Sequence, residues 1–159
     1  MAETKTNVMR MLDKAGIAYH SYTYDHEDGK IDGVSVATKL GQNPDQVYKT
    51  LVTKSGSGQP YVFVIPVAAE LDLKKAAKAV GEKSIAMIHV DEINKLTGYI
   101  RGGCSPVGMK KLFPTVFDQR VLDIPTVIVS GGKIGFQVEV APDALLKLVR
   151  GKTADLTVE

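Results

Sequence analysis

Tryptophan is absent, and cysteine occurs once, as Cys104. A lone cysteine excludes an intramolecular disulfide, so packing and hydrogen bonds must hold the fold. Aromatic residues make up only 6% of the chain, which leaves aliphatic side chains to build the core. No run approaches the about 18 apolar residues of a membrane span. Met1-Ala2-Glu3-Thr4-Lys5 leads into a charged segment rather than an apolar signal sequence. A soluble, cytoplasmic protein without a membrane partner is the expectation. Neither sign of charge dominates: the formal net charge is +2, so whole-molecule electrostatics do not demand nucleic acid and any basic footprint must be local. Repeats, low-complexity segments and linkers are also missing. The 159 residues are the size of one domain, and such a chain buries roughly two-thirds of its unfolded surface.

Val8, Leu12 and Ala15 recur at helical spacing, with Thr4 or Thr6 as cap and Gly16 as stop. Alternation over 17–24 suits a strand, 25–33 a loop, and 34–40 a helix ended by Gly41. Asn43-Pro44-Asp45 is a turn or helix start. Segments 47–54 and 61–67, joined by Ser55-Gly56-Ser57-Gly58, read as a hairpin. Asp72 caps a helix running to Val80, followed by a short strand at 85–88 and a short helix at 91–96. After the Gly- and Pro-rich stretch 97–108 come strands at 115–117, 126–130 and 134–140, the last two turning at Gly131-Gly132. Pro142 opens a final helix to Arg150. Mixed strands and helices with several hairpins predict an α+β domain with a curved, partly closed mixed sheet and surrounding helices.

Lys49 stands out in Val47-Tyr48-Lys49-Thr50-Leu51-Val52, where it shares a strand face with Val47 and Leu51. It reads either as an edge-strand lysine that discourages aggregation or as a cation lining a cleft, able to grip a phosphate or ribose oxygen. Thr97–Gly108 contains Gly102 and Gly103, which either form a tight turn or leave backbone amides free as oxyanion donors. Cys104 in that loop is a formal nucleophile candidate, but His20, His26 and His89 show no supporting pattern, and a bystander thiol is the simpler reading. The same scatter gives no metal-ligand spacing. Ser130-Gly131-Gly132-Lys133 is either a hairpin turn or a device aiming a hydroxyl and amides into a cleft. Lys74, Lys75 and Lys78, and Lys110 with Lys111, are the local basic clusters, each a solvated face or an anion footprint.

Five signatures in order resemble the YbaK family of aminoacyl-tRNA deacylases: 43–51 (Asn-Pro-Asp-Gln-Val-Tyr-Lys-Thr-Leu), Pro66-Val67 with 71–75, Thr97-Gly98-Tyr99, Gly102-Gly103-x-Ser105-Pro106-x-Gly108, and 129–133. The resemblance runs from the first helix to about Ala154. It implies one deacylase domain over 1–159 with the fold of the editing insertion of bacterial prolyl-tRNA synthetases. It implies that Lys49, Gly102, Gly103 and Ser130 are catalytic, and that Tyr24, Thr50, Ser105, Pro106, Gly131 and Gln137 bind substrate. Cys-specific members often carry an aspartate where this sequence has Gln137. The implied substrate is cysteine esterified to the 3′-terminal adenosine of tRNA(Pro), whose own thiol attacks its ester carbonyl, with neither cofactor nor metal. Prolyl-tRNA synthetase is the implied protein partner. Competing readings are a relative that clears alanine from tRNA with bound water, and a non-catalytic tRNA- or synthetase-binding module.

Overall fold

The computed structural model describes residues 5–30 and 32–158. Helix α1 (Asn7–Lys14) starts at Thr6, whose hydroxyl accepts the Met9 amide at 3.2 Å; the alternative cap, Thr4, lies outside the described residues. At its other end the Ile17 amide returns to Leu12 O, so β1 (Tyr19–Thr23) begins later than the alternation suggests. Asp32 caps α2 (Gly33–Leu40). A 3₁₀ turn, Pro44–Gln46, then leads into β2 (Tyr48–Ser55) and β3 (Pro60–Pro66), the expected hairpin. Helix α3 (Leu73–Val80), β4 (Ile85–Met87) and α4 (Val90–Thr97) follow, close to where the pattern places them.

Strands β5 (Thr115–Asp118), β6 (Val127–Ser130) and β7 (Phe136–Val140), and helix α5 (Pro142–Val149), also match the expectation. The turn between β6 and β7 is wider than Gly131-Gly132 alone. Phe136 donates to Lys133 O and accepts from the Gly131 amide, so residues 131–135 all belong to it. A 3₁₀ segment, Gln119–Asp123, and a last strand β8 (Lys152–Ala154) were not foreseen.

The α+β class holds, with the curved sheet realised as two sheets. One is antiparallel, in the order β1-β7-β6; the other is mixed, in the order β4-β2-β3-β5-β8. They meet at one parallel bridge, Val47 to Ile128. The main core packs α1 and α5 with inward residues of both sheets, among them Leu12, Val62, Val64, Val129, Val138 and Leu145. A second cluster seats α3 on the five-stranded sheet through Phe63, Ile65, Ala76 and Ala77. Ala37, Val47, Val67 and Ile128 form a third, at the junction.

Candidate functional site

From the Val47–Ile128 bridge, β2 and β6 run on without a further ladder between them. On the side of β2 away from β3, β4 pairs only from Thr53 onward. The stretch of β2 around Lys49 therefore borders a cleft, and a cavity of about 820 Å³ fills it. That size suits a nucleoside or a small amino acid ester. Its walls are β2 (48–51), the end of β6 (Val129, Ser130), the start of β7 (Phe136, Gln137), the first turn of α2, Tyr24 and the loop segment Arg101, Gly102 and Cys104.

Lys49 pairs with Ile65 across the hairpin and shares its face, as period-two alternation requires. Its side chain is half-buried, and among the described residues its ammonium makes neither a hydrogen bond nor an ion pair. Burial pulls its pKa below the ordinary lysine value, with the Glu70 carboxylate opposing that shift. A partly desolvated, unpartnered cation is poised to receive an anionic oxygen, which would repay its lost hydration. Thr50 beside it has a buried hydroxyl without a hydrogen-bond partner among the described residues.

Gly102 lines the cavity with φ 87°, a left-handed conformation that favours glycine. Gly103 is buried and lies behind it: a Cβ there would sit 3.0 Å from the Ile134 amide nitrogen and 3.3 Å from Lys133 Cα. Its lack of a side chain lets the 101–104 loop pack backbone-to-backbone on the 131–135 turn. Ser130 faces the cavity, and its Oγ accepts the Gly132 amide at 3.2 Å. Gln137 is 5% exposed; its Oε1 accepts from Gln42 Nε2 at 2.8 Å.

The cavity thus brings together Tyr24, Lys49, Thr50, Gly102, Ser130 and Gln137 of the residues singled out in the sequence. Gly103, Ser105, Pro106 and Gly131 are buried and do not line it. Ser105 Oγ accepts the Val107 amide at 3.3 Å, and Gly131 closes the β6–β7 turn on Phe136. Cys104 does reach the cavity, but burial pushes its thiol up to about 12, with a Thr97 hydrogen bond opposing, so it is neutral near pH 7. No three His, Cys, Asp or Glu side chains cluster to hold a metal ion among the described residues.

Arg101, Asp32 and Phe136 are cavity residues that sequence reasoning passed over. Asp32 is occupied as the α2 cap, accepting Ser35 N–H and O–H, which lower its pKa. Arg101 had one available signal, a cation adjoining the glycine pair.

Residues 32–148 match the model of the aminoacyl-tRNA editing domain. A protein of Enterococcus faecalis, provisionally named Cys-tRNA(Pro)/Cys-tRNA(Cys) deacylase EbsC, is 44% identical over 157 residues, covering 99% of this chain and 96% of that protein. A crystal structure provisionally described as a trans-editing enzyme for prolyl-tRNA synthetase superposes with a TM-score of 0.81 at 26% identity, over 98% of this chain and 100% of the other. The crystal structure of a hypothetical protein shares the fold at TM-score 0.86 and 23% identity, over 95% and 99% of the two chains.

Proposed function

The chain belongs to the aminoacyl-tRNA editing domain family, and from that premise we propose that it is a deacylase that removes cysteine from mischarged Cys-tRNA(Pro) in trans. Residues 1–159 act as one such domain in this reading, and prolyl-tRNA synthetase supplies the mischarged product. The relative named for Cys-tRNA deacylation matches nearly end to end, which supports the substrate. The observation that carries the chemistry is Lys49, a half-buried ammonium without a partner among the described residues, on a cavity wall shared with Gly102 and Ser130.

In this reading the substrate brings its own nucleophile. The terminal adenosine enters the cleft and a ribose or phosphate oxygen accepts a hydrogen bond from the Lys49 ammonium. The cysteine Sγ attacks its own ester carbonyl, giving a tetrahedral carbon with a negative oxygen. Backbone amides of the Gly102 loop stabilise that oxygen. The carbonyl re-forms, the ribose 3′ oxygen leaves and takes a proton, and a cyclic thioester remains for water to open. The protein contributes position and electrostatics. The neutral state of Cys104 is consistent with this division, because the wall thiol is a poor competitor for the ester.

A deacylation panel on tRNA(Pro) charged with Cys, Ala or Pro tests the reading. Preferential release of cysteine is expected. Faster release of alanine would favour a water-based relative, and no release from any ester would leave a binding module.

A further inference from the structure

The charges around the cavity are uneven. Its lining contains one carboxylate, Asp32, already engaged by Ser35, and two cations, Lys49 and Arg101. Arg101 is exposed at the mouth and makes no hydrogen bond or ion pair among the described residues. A third cation stands close by. Lys133 holds its ammonium 5.9 Å from the centroid of the Phe136 ring, and Phe136 is itself a cavity wall. The two rim segments are fixed to one another, since Gly103 packs directly on the backbone of Lys133 and Ile134. Lys133 is likewise exposed and has no acidic partner among the described residues.

The basic clusters conspicuous in the sequence are elsewhere. Lys74, Lys75, Lys78, Lys110 and Lys111 do not line the cavity, and Lys75 is bound to Asp155 and to Thr157 O. The local positive footprint therefore lies on the rim, next to a cleft whose deeper cation is Lys49.

We infer that Arg101 and Lys133 form a phosphate-binding rim, which grips the phosphodiester backbone of a single-stranded RNA end as its last nucleoside enters the cavity. This rests on the deacylase reading for its ligand and deepens it by assigning the contact beyond the terminal nucleoside. An arginine suits the place: its planar guanidinium meets two phosphate oxygens at once. Lys133 adds a point charge on the adjoining turn. A ligand of one nucleoside would occupy the cavity and leave the rim empty. A ligand with further nucleotides must lay its backbone across the rim.

The test is binding, kept separate from turnover. Calorimetric titration of Arg101→Gln and of Arg101→Gln/Lys133→Gln with an RNA microhelix ending in unpaired CCA should show affinity reduced by about tenfold and more, the scale of a lost charge-assisted hydrogen bond. The slope of log Kd against log salt should flatten by about 0.7 for each phosphate contact removed. Arg101→Lys should keep the slope. NMR titration with adenosine, which carries no phosphate, should show a much smaller loss in every variant than the microhelix does. Unchanged microhelix affinity in the double variant, or an equal loss for adenosine, overturns the rim. Circular dichroism confirms the fold, which exposed side chains should not disturb. Absence of deacylation by the wild-type protein would count against the deacylase reading alone and leave the binding comparison standing.

Discussion

Gln42 Nε2 donates to Gln137 Oε1 at 2.8 Å, tying the second residue after α2 to the first half of β7 at the cavity wall. The bond commits the carbonyl of Gln137 and leaves its NH₂ as the group available to the cavity. An aspartate here would instead present a negative oxygen, suited to the α-ammonium of an aminoacyl ester. Gln137→Asp should therefore lower KM for Cys-tRNA(Pro) several-fold at pH 7 and leave kcat nearly unchanged, since the α-ammonium is held equally in the ground state and the transition state. Steady-state kinetics decide it. A raised KM would show that the substrate uses the amide donor.

At Lys49 the proposed activity and the stability of the fold pull in opposite directions. Lys49→Ala should reduce single-turnover deacylation by about a hundredfold or more, the scale of losing one preorganised electrostatic contact. Lys49→Met should fold and be more stable than wild type near neutral pH. The sign follows from burial: the folded chain holds this proton less tightly than the unfolded chain does. Between the lowered pKa and the ordinary 10.5, stability rises with pH as the buried charge is lost. The stability advantage of Lys49→Met should thus shrink as pH climbs through that window, measured by denaturant melts. Activity within a few-fold of wild type in Lys49→Ala removes this residue from the site.

Cys104 should be a bystander. Its raised pKa predicts slow alkylation by iodoacetamide at pH 7.5 in the native protein and rapid alkylation once denatured. Cys104→Ser should retain most activity. A loss of about a thousandfold would restore it as a covalent nucleophile.

The substrate's sulfur is the sharpest probe. Cys-tRNA(Pro) should be cleaved far faster than Ser-tRNA(Pro), because a thiol is partly ionised near neutral pH and intrinsically nucleophilic while a hydroxyl is neither. Shape alone separates near-isosteres by only about a hundredfold. S-methylated Cys-tRNA(Pro) should be inert. Equal rates for the Cys and Ser esters, or rapid cleavage of the S-methyl ester, point to activated water.

Gly103→Ala should lower activity more than stability. The new methyl would meet the Ile134 amide nitrogen at 3.0 Å and Lys133 Cα at 3.3 Å, backbone atoms rather than a flexible side chain that could yield. Overpacking of this kind costs about 1–3 kcal/mol. The relief available is to part the 101–104 loop from the 131–135 turn, which moves Gly102 and Arg101 away from Ser130. Thermal melts and kcat/KM together separate the two effects.

Local pattern explains what the sequence made legible. The hairpin β2–β3 and the helices α1, α2 and α3 carry their stops and caps in adjacent residues, such as Asp72 before α3 and Gly81 after it. Lys49 was conspicuous because a charge falls on the apolar face of a strand. Strand β8 was not, since Lys152-Thr153-Ala154 has no apolar alternation and exists through parallel pairing with β5. Arg101 was missed for a related reason. An arginine in a loop is unremarkable until Gly103 is seen packed on Lys133 and Ile134. Ser105 and Gly131 enter the binding set through the family motifs that contain them, and a motif does not tell which of its members line the cavity and which lie behind it. Neighbours in sequence take different sides of a wall.

Strand β1 pairs with β7, aligning Tyr19 with Val140, and β7 in turn holds β6 beside the cleft. On a ribosome, the hairpin carrying Lys49 emerges early and can form at once. The opposite wall, Ser130 to Gln137, emerges only after most of the chain has been made. A nascent chain therefore carries β1 unpaired and the core face of the β2–β3 hairpin uncovered until β6 and β7 have been made, a hazard for aggregation and a call on chaperones. Long-range pairing of this sort also predicts folding in milliseconds to seconds rather than microseconds. Truncated products of interrupted synthesis would carry the lysine without an enclosed cleft, so unfinished copies could not discharge tRNA in the cell.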